Sequence, residues 1–548
     1  MPAILGATGV RRPGIAGLLP TRAQSGVPGR LDGTVTDPAT QGIPRDGVPE
    51  PSATPYADAL RANALGGWTR WAIPAHQDQP ERHPALAALA GPEVLAMDIP
   101  MFTEGVDLPA EGRPRPVVSR DGSAGPSPIP YARSLELAAE AWGARRTWFL
   151  TDGASQGNHA ACLALRWRGQ QAVVQRSVHT SVIDGAILAG LRLEFVLPHV
   201  NIALGIAHGV TPADLDDALT AHPGAMAAYV VSPSYFGAVS DVSGLAEVAH
   251  RHGVPLVVDE AWGSHFGFHP DLPPSALSCG ADVVVSSTHK LAGSLTQSAM
   301  LHLGDGRFAD ELEPLLDRAL RTFQTTSPSA LLLGSLDVAR RDLILAARNG
   351  GIAQSIEDAE RVRSLLAEGG RYADPGPAIL DSPDVVGIDP LHVVVDTRSG
   401  GLSGYQARAL LERQARIHVE LATQSVIVGI VGAGSWLDAD YIAAALHSLP
   451  REDDGAGPRE LSLPAPGARA LDVREAFLSS AEVVPWQEAV GRVSADSLAA
   501  YPPGVPNVLP GEVVTAEVVQ FLRETARSPY GWVRGSVDPL TDHLRVVC

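Results

Sequence analysis

One residue type occurs only once in this chain of 548 residues: Lys290 is the sole lysine, and every other fixed cation is an arginine. Arginine could fill most structural roles of a cation, but its guanidinium stays charged, whereas an amine can lose its proton and attack an electrophile. We therefore predict that Lys290 is a reactive amine. The alternative is a single surface lysine that a compositional bias has spared.

Three predicted strands lead directly into polar side chains. Apolar runs at residues 225–231, 254–258 and 282–286 are typical of strands buried on both faces, and they are followed by residues 232–235, 259–262 and 287–290. In an open α/β sheet, ligands bind outside the carboxyl ends of the parallel strands. We therefore expect Asp259 and Lys290 to lie at the same edge of a sheet, on neighbouring strands.

An amine and a carboxylate in this arrangement suit pyridoxal phosphate as a cofactor. Its aldehyde forms an imine with a lysine, and its ring nitrogen must stay protonated to withdraw electrons from a substrate. Asp259 would hold that proton through a charge-assisted hydrogen bond, and Ala261 is small enough for the ring to lie flat against the strand end. The alternative for Asp259 is the capping of a turn.

A phosphate group needs backbone donors and hydroxyls, which a glycine-rich turn at the start of a helix supplies. Ala154 and Ser155 belong to such a turn, ahead of a predicted helix at 157–167, although most such turns only cap a helix. Ser287 and His289 would add contacts from the lysine loop.

His179 follows a predicted strand at 172–175 and would stack on the ring face opposite Ala261. The alternative is a buried core histidine. No histidine and cysteine cluster has the spacing of a zinc site, so no metal is predicted.

The elements that must position these residues alternate along the chain. From residue 131 onwards, short apolar strands alternate with helical patterns, which indicates βαβ units and a parallel sheet. A second α/β section has strands at 391–395 and 425–430 with a helix at 404–415. We predict a disordered arm at 1–55, a large domain at 56–345, a small α/β domain at 346–450, a linker at 451–470 and a C-terminal domain at 471–548.

Bulk composition narrows the functional class. A net charge of −19 disfavours nucleic acid as a partner, because phosphate binding needs a basic face. No apolar run approaches the roughly 20 residues that span a bilayer, so no membrane role is expected. Three cysteines give no disulfide framework, and residues 1–19 lack the apolar core of a signal peptide. We expect an enzyme of the reducing cytoplasm.

From about Trp71 to the C-terminus the sequence resembles the Orn/Lys/Arg decarboxylase family of aspartate-aminotransferase-type pyridoxal enzymes. The resemblance implies an α/β fold with a mostly parallel sheet in the large domain, a smaller α/β domain and a decarboxylase-type C-terminal domain. It also implies decarboxylation of arginine, lysine or ornithine. The motifs that carry it are Ser287-Thr288-His289-Lys290-Leu291 continuing to Gln297, Val257 to Phe266, Thr326-Ser327-Pro328-Ser329 followed by Ser335-Leu336-Asp337, Tyr501-Pro502-Pro503-Gly504 and Pro510-Gly511-Glu512.

The resemblance also implies roles for individual residues. Lys290 would be the lysine that holds the cofactor, Asp259 would face its ring nitrogen, and His179 would stack on its ring. The loop that begins at Thr326 would reach the cofactor of a neighbouring subunit, which makes a homodimer the minimal active unit. The remaining roles are phosphate contacts for Ala154, Ser155, Ser287 and His289, and contacts to a small basic substrate for Glu512 and Trp262.

Two departures from the family pattern leave the substrate open. The family's Pro-Gly-His-Lys appears here as Pro74-Ala75-His76-Gln77, and its His-Lys-Ser as His179-Thr180-Ser181. Neither missing lysine holds the cofactor, so cofactor binding is still expected, while the choice among arginine, lysine and ornithine is not fixed. The proton donor to the substrate Cα is Lys290 or His289. The alternatives are a transamination or aldolase-like reaction on the same scaffold, and a catalytically silent pyridoxal-binding partner protein.

Overall fold

The structure is a computed structural model, and it describes residues 51–99, 129–202, 204–451, 464–501, 505–528 and 531–548. The predicted arm therefore lies outside the described residues except for its last five. In those five, the carbonyl oxygens of Pro51 and Ala53 accept hydrogen bonds from the buried Arg340, and Pro55 begins the first helix. These last residues of the predicted arm thus contact α-helical residues of the large domain.

The shortest described α-helices, one in the lysine loop and one at residues 486–489, have four residues each. The described α-helices are α1 (Pro55–Leu65), α2 (Pro84–Ala90), α3 (Pro92–Met97), α4 (Pro130–Trp142), α5 (Gly153–Arg166), α6 (Thr180–Ala189), α7 (Pro212–Ala221), α8 (Val242–Arg251), α9 (Thr288–Leu291), α10 (Ala309–Phe323), α11 (Ala330–Asn349), α12 (Gly351–Glu368), α13 (Gly376–Leu380), α14 (Gly404–Leu410), α15 (Ala439–Ser448), α16 (Val473–Leu478), α17 (Trp486–Ala489) and α18 (Ala516–Arg527).

The strands are short. They are β1 (Arg146–Leu150), β2 (Gln171–Gln175), β3 (Arg192–Val196), β4 (Val200–Asn201), β5 (Ile206–Ala207), β6 (Ala225–Val231), β7 (Ala238–Val239), β8 (Leu256–Asp259), β9 (Val283–Ser286), β10 (Ala299–Leu303), β11 (Gly387–Ile388), β12 (His392–Asp396), β13 (Leu421–Ala422), β14 (Val426–Ile430), β15 (Ala481–Pro485), β16 (Leu498–Tyr501), β17 (Pro506–Val508), β18 (Trp532–Arg534) and β19 (His543–Val547).

The largest sheet has seven strands in the order β1-β10-β9-β8-β6-β2-β3. β9, β8, β6, β2 and β3 pair in parallel, and β10 runs antiparallel to both of its neighbours. The predicted mostly parallel sheet is confirmed. Because β8 and β9 are adjacent and parallel, the residues that follow them emerge at the same edge.

Both faces of this sheet are covered, which explains the continuous apolar runs in the sequence. Val257 and Val285 pack on one side with residues of α5, α6 and α10, while Val258 and Val284 pack on the other side with residues of α7 and α8. Gly157 lets α5 approach closely, since a Cβ at that position would lie 2.7 Å from Val285 Cγ1. The close approach sets the first turn of α5 beside the carboxyl ends of the strands.

Two further groups of elements follow the large sheet. A three-stranded antiparallel sheet, β12-β14-β13, packs with α12, α14 and α15, and the helix predicted at 404–415 is α14 followed by a π-helical turn, Leu411–Ala415. After residue 464, the sheets β15-β19 and β17-β16-β18 pack with α18 around a separate small core. Within the described ranges, no helix combines the length and the apolar character that crossing a bilayer requires.

Candidate active site

Lys290 lies in α9, directly after β9, and its side chain is partly buried. Its Nζ is 3.7 Å from the centroid of the Trp262 ring. Burial lowers the pKa of this amine from 10.5 to about 8, while the negative charges of Asp259 and Glu420 act in the opposite direction. A larger fraction of this amine than of an ordinary lysine is therefore unprotonated near neutral pH, as a nucleophile requires.

Asp259 is the last residue of β8 and is 3% exposed. Its Oδ2 accepts a hydrogen bond from Asn158 Nδ2 at 3.0 Å, and its Oδ1 accepts one from the backbone N–H of Ala261 at 3.1 Å. Burial raises the pKa of this carboxyl group, whereas the Asn158 hydrogen bond, the Lys290 charge and the Ala261 N–H oppose the rise. The carboxylate and the amine lie at the ends of adjacent strands and interact electrostatically.

Asn158, on the second turn of α5, connects most of these groups, and sequence reasoning did not select it. Its amide donates to Asp259 and to Ser181 Oγ at 2.8 Å, and its Oδ1 accepts from the Tyr229 hydroxyl at 2.8 Å. All hydrogen-bonding groups of the amide are thus used. A polar residue among the mostly small and apolar buried residues of α5 is the signal that could have drawn attention to it.

His179 is the residue before α6, and its Nδ1 accepts a hydrogen bond from the backbone N–H of Ser181 at 3.2 Å. Its Nδ1 is also 2.8 Å from Ser181 Oγ, which receives the Asn158 amide. Burial lowers the pKa of His179 to about 3, assisted by the charge of Lys290. The imidazole is therefore neutral, with its proton on Nε2.

The turn predicted for phosphate binding forms the beginning of α5. Gly153 has φ +68°, and its N–H donates to the carbonyl of Gln297 at 2.7 Å, so the turn is joined to the segment that follows the lysine loop. The next two backbone N–H groups, those of Ala154 and Ser155, have no acceptor among the described residues. These two donors, at the positive end of a 14-residue helix, could receive an anion.

The lysine loop adds two of the predicted residues to this edge. Ser287 precedes α9 and is 3% exposed. His289 Nδ1 donates to the carbonyl of Ser298 at 2.7 Å. Burial is the main cause that lowers the pKa of His289, so its ring is neutral and its only N–H is used by Ser298.

Trp262 lies with its face against the Lys290 amine and is 6% exposed. Its Nε1 is buried and has no hydrogen-bond partner among the residues that the structure describes. A buried indole N–H normally has a partner, so this donor is available to a bound molecule. Across the described chain, no group of histidine, cysteine and acidic side chains is arranged to hold a metal ion.

Two family models match the sequence: residues 129–393 match the major domain of Orn/Lys/Arg decarboxylases, and residues 462–529 match their C-terminal domain. An arginine decarboxylase of Bacillus subtilis is 32% identical over 500 residues, which cover 90% of this chain and 98% of that protein. The chain belongs to the Orn/Lys/Arg decarboxylase family. An arginine decarboxylase of Bacillus anthracis is also 32% identical, over 90% of this chain and 97% of its own length.

Solved structures of Orn/Lys/Arg decarboxylases share the fold. The lysine decarboxylase of Francisella novicida superposes with a TM-score of 0.72 at 18% identity, covering 90% of this chain and 81% of that one. Lysine decarboxylase A of Pseudomonas aeruginosa gives 0.70 at 20% identity, covering 90% and 80%. The expected aspartate-aminotransferase-like fold with a decarboxylase-type C-terminal domain is confirmed.

Two residues to which the Orn/Lys/Arg decarboxylase resemblance gave roles lie apart from this cluster. Thr326, between α10 and α11, is exposed in the single chain. Glu512 is 5% exposed, and its two oxygens accept from Nε and Nη2 of Arg176 at 3.1 and 2.8 Å, while the Leu509 N–H donates to Oε2 at 2.8 Å. This carboxylate is paired with a buried guanidinium in the single chain, and its contact with the substrate stays a prediction.

Proposed function

We propose that this chain decarboxylates a basic amino acid with pyridoxal phosphate as cofactor, and that its preferred substrate is L-arginine. Family membership supports the reaction, and the relatives named arginine decarboxylases match over nearly their full length. The observation that carries the proposal is the sole lysine, half-shielded beside a buried carboxylate at the carboxyl edge of the sheet.

The described residues fit this cofactor at three separate points. Two unsatisfied N–H groups at the start of α5 suit a phosphate, and the unpartnered Trp262 Nε1 suits an oxygen acceptor near the lysine. A carboxylate fixed by Asn158 suits a protonated ring nitrogen. Lys290 would hold the aldehyde carbon, Asp259 the ring proton and Ala154, Ser155 and Ser287 the phosphate, with His179 against the ring.

When bound, the protonated ring accepts the electron pair that departing carbon dioxide leaves on the substrate Cα. The chain's own groups prepare that step. Asn158 supports the ionised form of Asp259, which would keep the ring nitrogen protonated. His179 stays neutral beside the positive charges of the site, and the Trp262 ring excludes water from the amine.

The contacts of the two candidate proton donors favour Lys290. His289 is neutral, and its single N–H is directed to the Ser298 carbonyl, so it has no proton to release to a substrate carbon. Lys290, with a pKa of about 8, can carry and release a proton at Nζ near neutral pH. We assign the return of the proton to Cα to Lys290.

The active unit in this proposal is a homodimer in the cytoplasm. Thr326 is exposed in the single chain and is free to contact the site of a second copy. The three cysteines are unpaired thiols, as is usual for a reducing compartment.

A substrate panel tests the proposal. Purified protein with added cofactor is incubated with L-arginine, L-lysine or L-ornithine, and released carbon dioxide and the product amine are measured. We expect gas from L-arginine in the largest amount. Keto-acid product without gas would replace decarboxylation by transamination, and cofactor binding without turnover would indicate the silent partner protein.

The single lysine permits a direct test of cofactor attachment. Borohydride reduction of the loaded protein should add one cofactor per chain, and peptide mapping should place it on Lys290. The matched variant is Lys290→Arg, which keeps the charge but cannot form the imine. Attachment elsewhere, or a visible absorbance spectrum unchanged in this variant, would overturn the assignment.

A further inference from the structure

Three buried ionisable side chains form a cluster outside the residues that would hold the cofactor. His265, Asp389 and His392 each have side chains that are 0% exposed. Asp389 Oδ1 is 3.1 Å from His265 Nε2, and Asp389 Oδ2 is 2.7 Å from His392 Nδ1. His265 follows β8 in the large sheet, whereas Asp389 lies between β11 and β12 and His392 begins β12, so the cluster joins the large sheet to the small one.

The protons of this cluster can be assigned from its acceptors. A carboxylate only accepts, so His265 donates through Nε2–H and His392 through Nδ1–H. Burial acts to raise the pKa of Asp389, but the charges and hydrogen bonds of the two histidines lower it well below its ordinary value. An ionised carboxylate is thus retained in a site without solvent, which is costly unless it is fully paired.

The cluster contacts the active site through one ring. The rings of His392 and Trp262 form a T-shaped pair with centroids 5.7 Å apart and planes at 71°, and the Trp262 ring centroid lies 3.7 Å from Lys290 Nζ. On another side of His392, Gly237 approaches so closely that a Cβ there would lie 2.7 Å from His392 Cβ. His392 is therefore confined between Gly237, Asp389 and Trp262.

We propose that His265, Asp389 and His392 are positioning residues that hold the Trp262 indole against the amine of Lys290 and keep water away from it. None of the three is assigned a contact with substrate or cofactor. The inference rests on the proposed function only in taking Lys290 as the reactive amine. The experiment that tests it measures the titration of the Lys290 amine directly. If Lys290 titrates as expected but the protein does not decarboxylate, only the proposed function is overturned.

Lys290 is surrounded by a defined set of titratable groups. Asp259 at the end of β8 and Glu420 before β13 raise its pKa, while burial has the largest effect and lowers it. His289 on its own helix and His179 before α6 also interact with it. All four groups remain when His392, Trp262 or His250 is replaced, so a change in the titration of Lys290 in those variants reports a change in its burial.

The experiment is the pH dependence of acylation of Lys290 in the cofactor-free protein, measured on the Lys290 peptide by mass spectrometry. The parent should show a midpoint at about pH 8. In His392→Asn, the amide keeps a donor for Asp389 but removes the ring beside Trp262. We expect the midpoint to rise by about one pH unit, because an amine that regains water returns toward its ordinary pKa.

A second pair, formed by a partly buried histidine and a buried carboxylate, supplies the control. His250 Nε2 is 2.8 Å from Asp282 Oδ2 at the opposite, amino-terminal edge of β9. His250→Gln should leave the Lys290 midpoint unchanged, whatever it does to thermal stability. Trp262→Leu should give the same rise as His392→Asn, and combining the two should add nothing further if His392 acts through Trp262.

The outcomes separate positioning from mere stabilisation. A His392→Asn protein with lowered thermal stability and an unchanged Lys290 midpoint would overturn the proposal, as would additive shifts in the double variant. If His392→Asn does not fold, His392→Gln, which is closer in volume to histidine, is measured with the same expected rise. An equal rise of the Lys290 midpoint in His250→Gln would also overturn the proposal, because the effect would then be unrelated to Trp262.

Discussion

Two cations, Arg176 and Lys290, follow strands of the large sheet at the same edge, but their charged groups have opposite surroundings. Arg176, directly after β2, is 5% exposed, and its guanidinium binds both oxygens of Glu512 and the carbonyl of Pro506 at 2.7 Å. Lys290, directly after β9, meets the face of Trp262, and no described carboxylate lies within ion-pair distance of its Nζ. The two cations share their position at the carboxyl edge of the sheet but differ in the groups that they contact.

The difference shows how this chain separates structure from chemistry. A guanidinium stays charged and presents a planar set of donors, so a bidentate carboxylate satisfies it and joins the C-terminal segment to the large sheet. An amine that must lose its proton cannot be paired so tightly, because a close carboxylate would raise its pKa. Lys290 instead receives only distant negative charge and an apolar surrounding.

Replacing the reactive cation should have the largest effect. Lys290→Arg places after β9 the same type of cation that follows β2. We expect the rate of decarboxylation to fall by more than about 1,000-fold, because the guanidinium cannot form the imine. Carbon dioxide release at saturating cofactor measures the loss, and circular dichroism should be unchanged. Activity near that of the parent would show that Lys290 is not the reactive amine.

Removing the distant negative charge comes next. Asp259→Asn should lower kcat by about 100-fold, because the ring nitrogen would lose the anion that keeps it protonated. Asp241→Asn is the control, since Asp241 caps α8 through the Gly244 N–H and lies outside the site. Parent-like kcat in Asp259→Asn, measured at saturating substrate and cofactor, would contradict the role of Asp259.

Disruption of the Arg176–Glu512 ion pair should lower the stability of the protein and leave its catalytic rate nearly unchanged. Glu512→Gln leaves the Arg176 guanidinium buried without its anion, and we expect unfolding free energy to fall by about 3 kcal/mol. Urea titration measures the loss, and kcat per folded molecule should stay within about twofold of the parent value. A large drop in kcat with unchanged stability would instead support the predicted contact of Glu512 with the substrate.

Its control is an exposed ion pair. Arg361 and Asp440 lie 2.6 Å apart with side chains 57% and 66% exposed. Solvent screens such pairs, so Asp440→Asn should leave the urea midpoint unchanged. Equal destabilisation by the two variants would show that burial is not what distinguishes the Arg176 pair.

The smallest effect concerns a carboxylate that the sequence did not single out. Glu420 raises the pKa of Lys290 through its charge. Glu420→Gln should therefore move the acylation midpoint of Lys290 to lower pH by a few tenths of a unit. High salt should remove most of the difference between parent and variant, because Glu420 is exposed. A midpoint at higher pH in Glu420→Gln would contradict the prediction that the charge of Glu420 raises the pKa of Lys290.

Local patterns predicted a large part of the fold. The strand at Ala225–Val231 agrees with the apolar run over its full length, and the two strands before Asp259 and Lys290 agree to within two residues. These predictions succeed because burial on both faces of a strand requires a continuous apolar run. The place of Asp259 and Lys290 at one edge follows from strand direction alone.

Contacts between distant segments were not predictable in the same way. Asn158 is 101 residues from Asp259, and Arg176 is 336 residues from Glu512, so no local spacing connects them. The pairing of Glu512 with Arg176 was not predicted, because a motif shows that a carboxylate is present and does not show which cation it binds. Its partner is set by how β2 packs against the C-terminal segment.

The sequence by itself determined which chemistry is available: one amine in the whole chain, a carboxylate one strand away, and a turn of free donors before a helix. Residue type and strand direction suffice for that, because both are local properties. Only the tertiary structure decided which charges are neutralised and which stay reactive. Burial, distance and the orientation of rings such as Trp262 depend on segments that packing brings together, and these quantities set the pKa of Lys290.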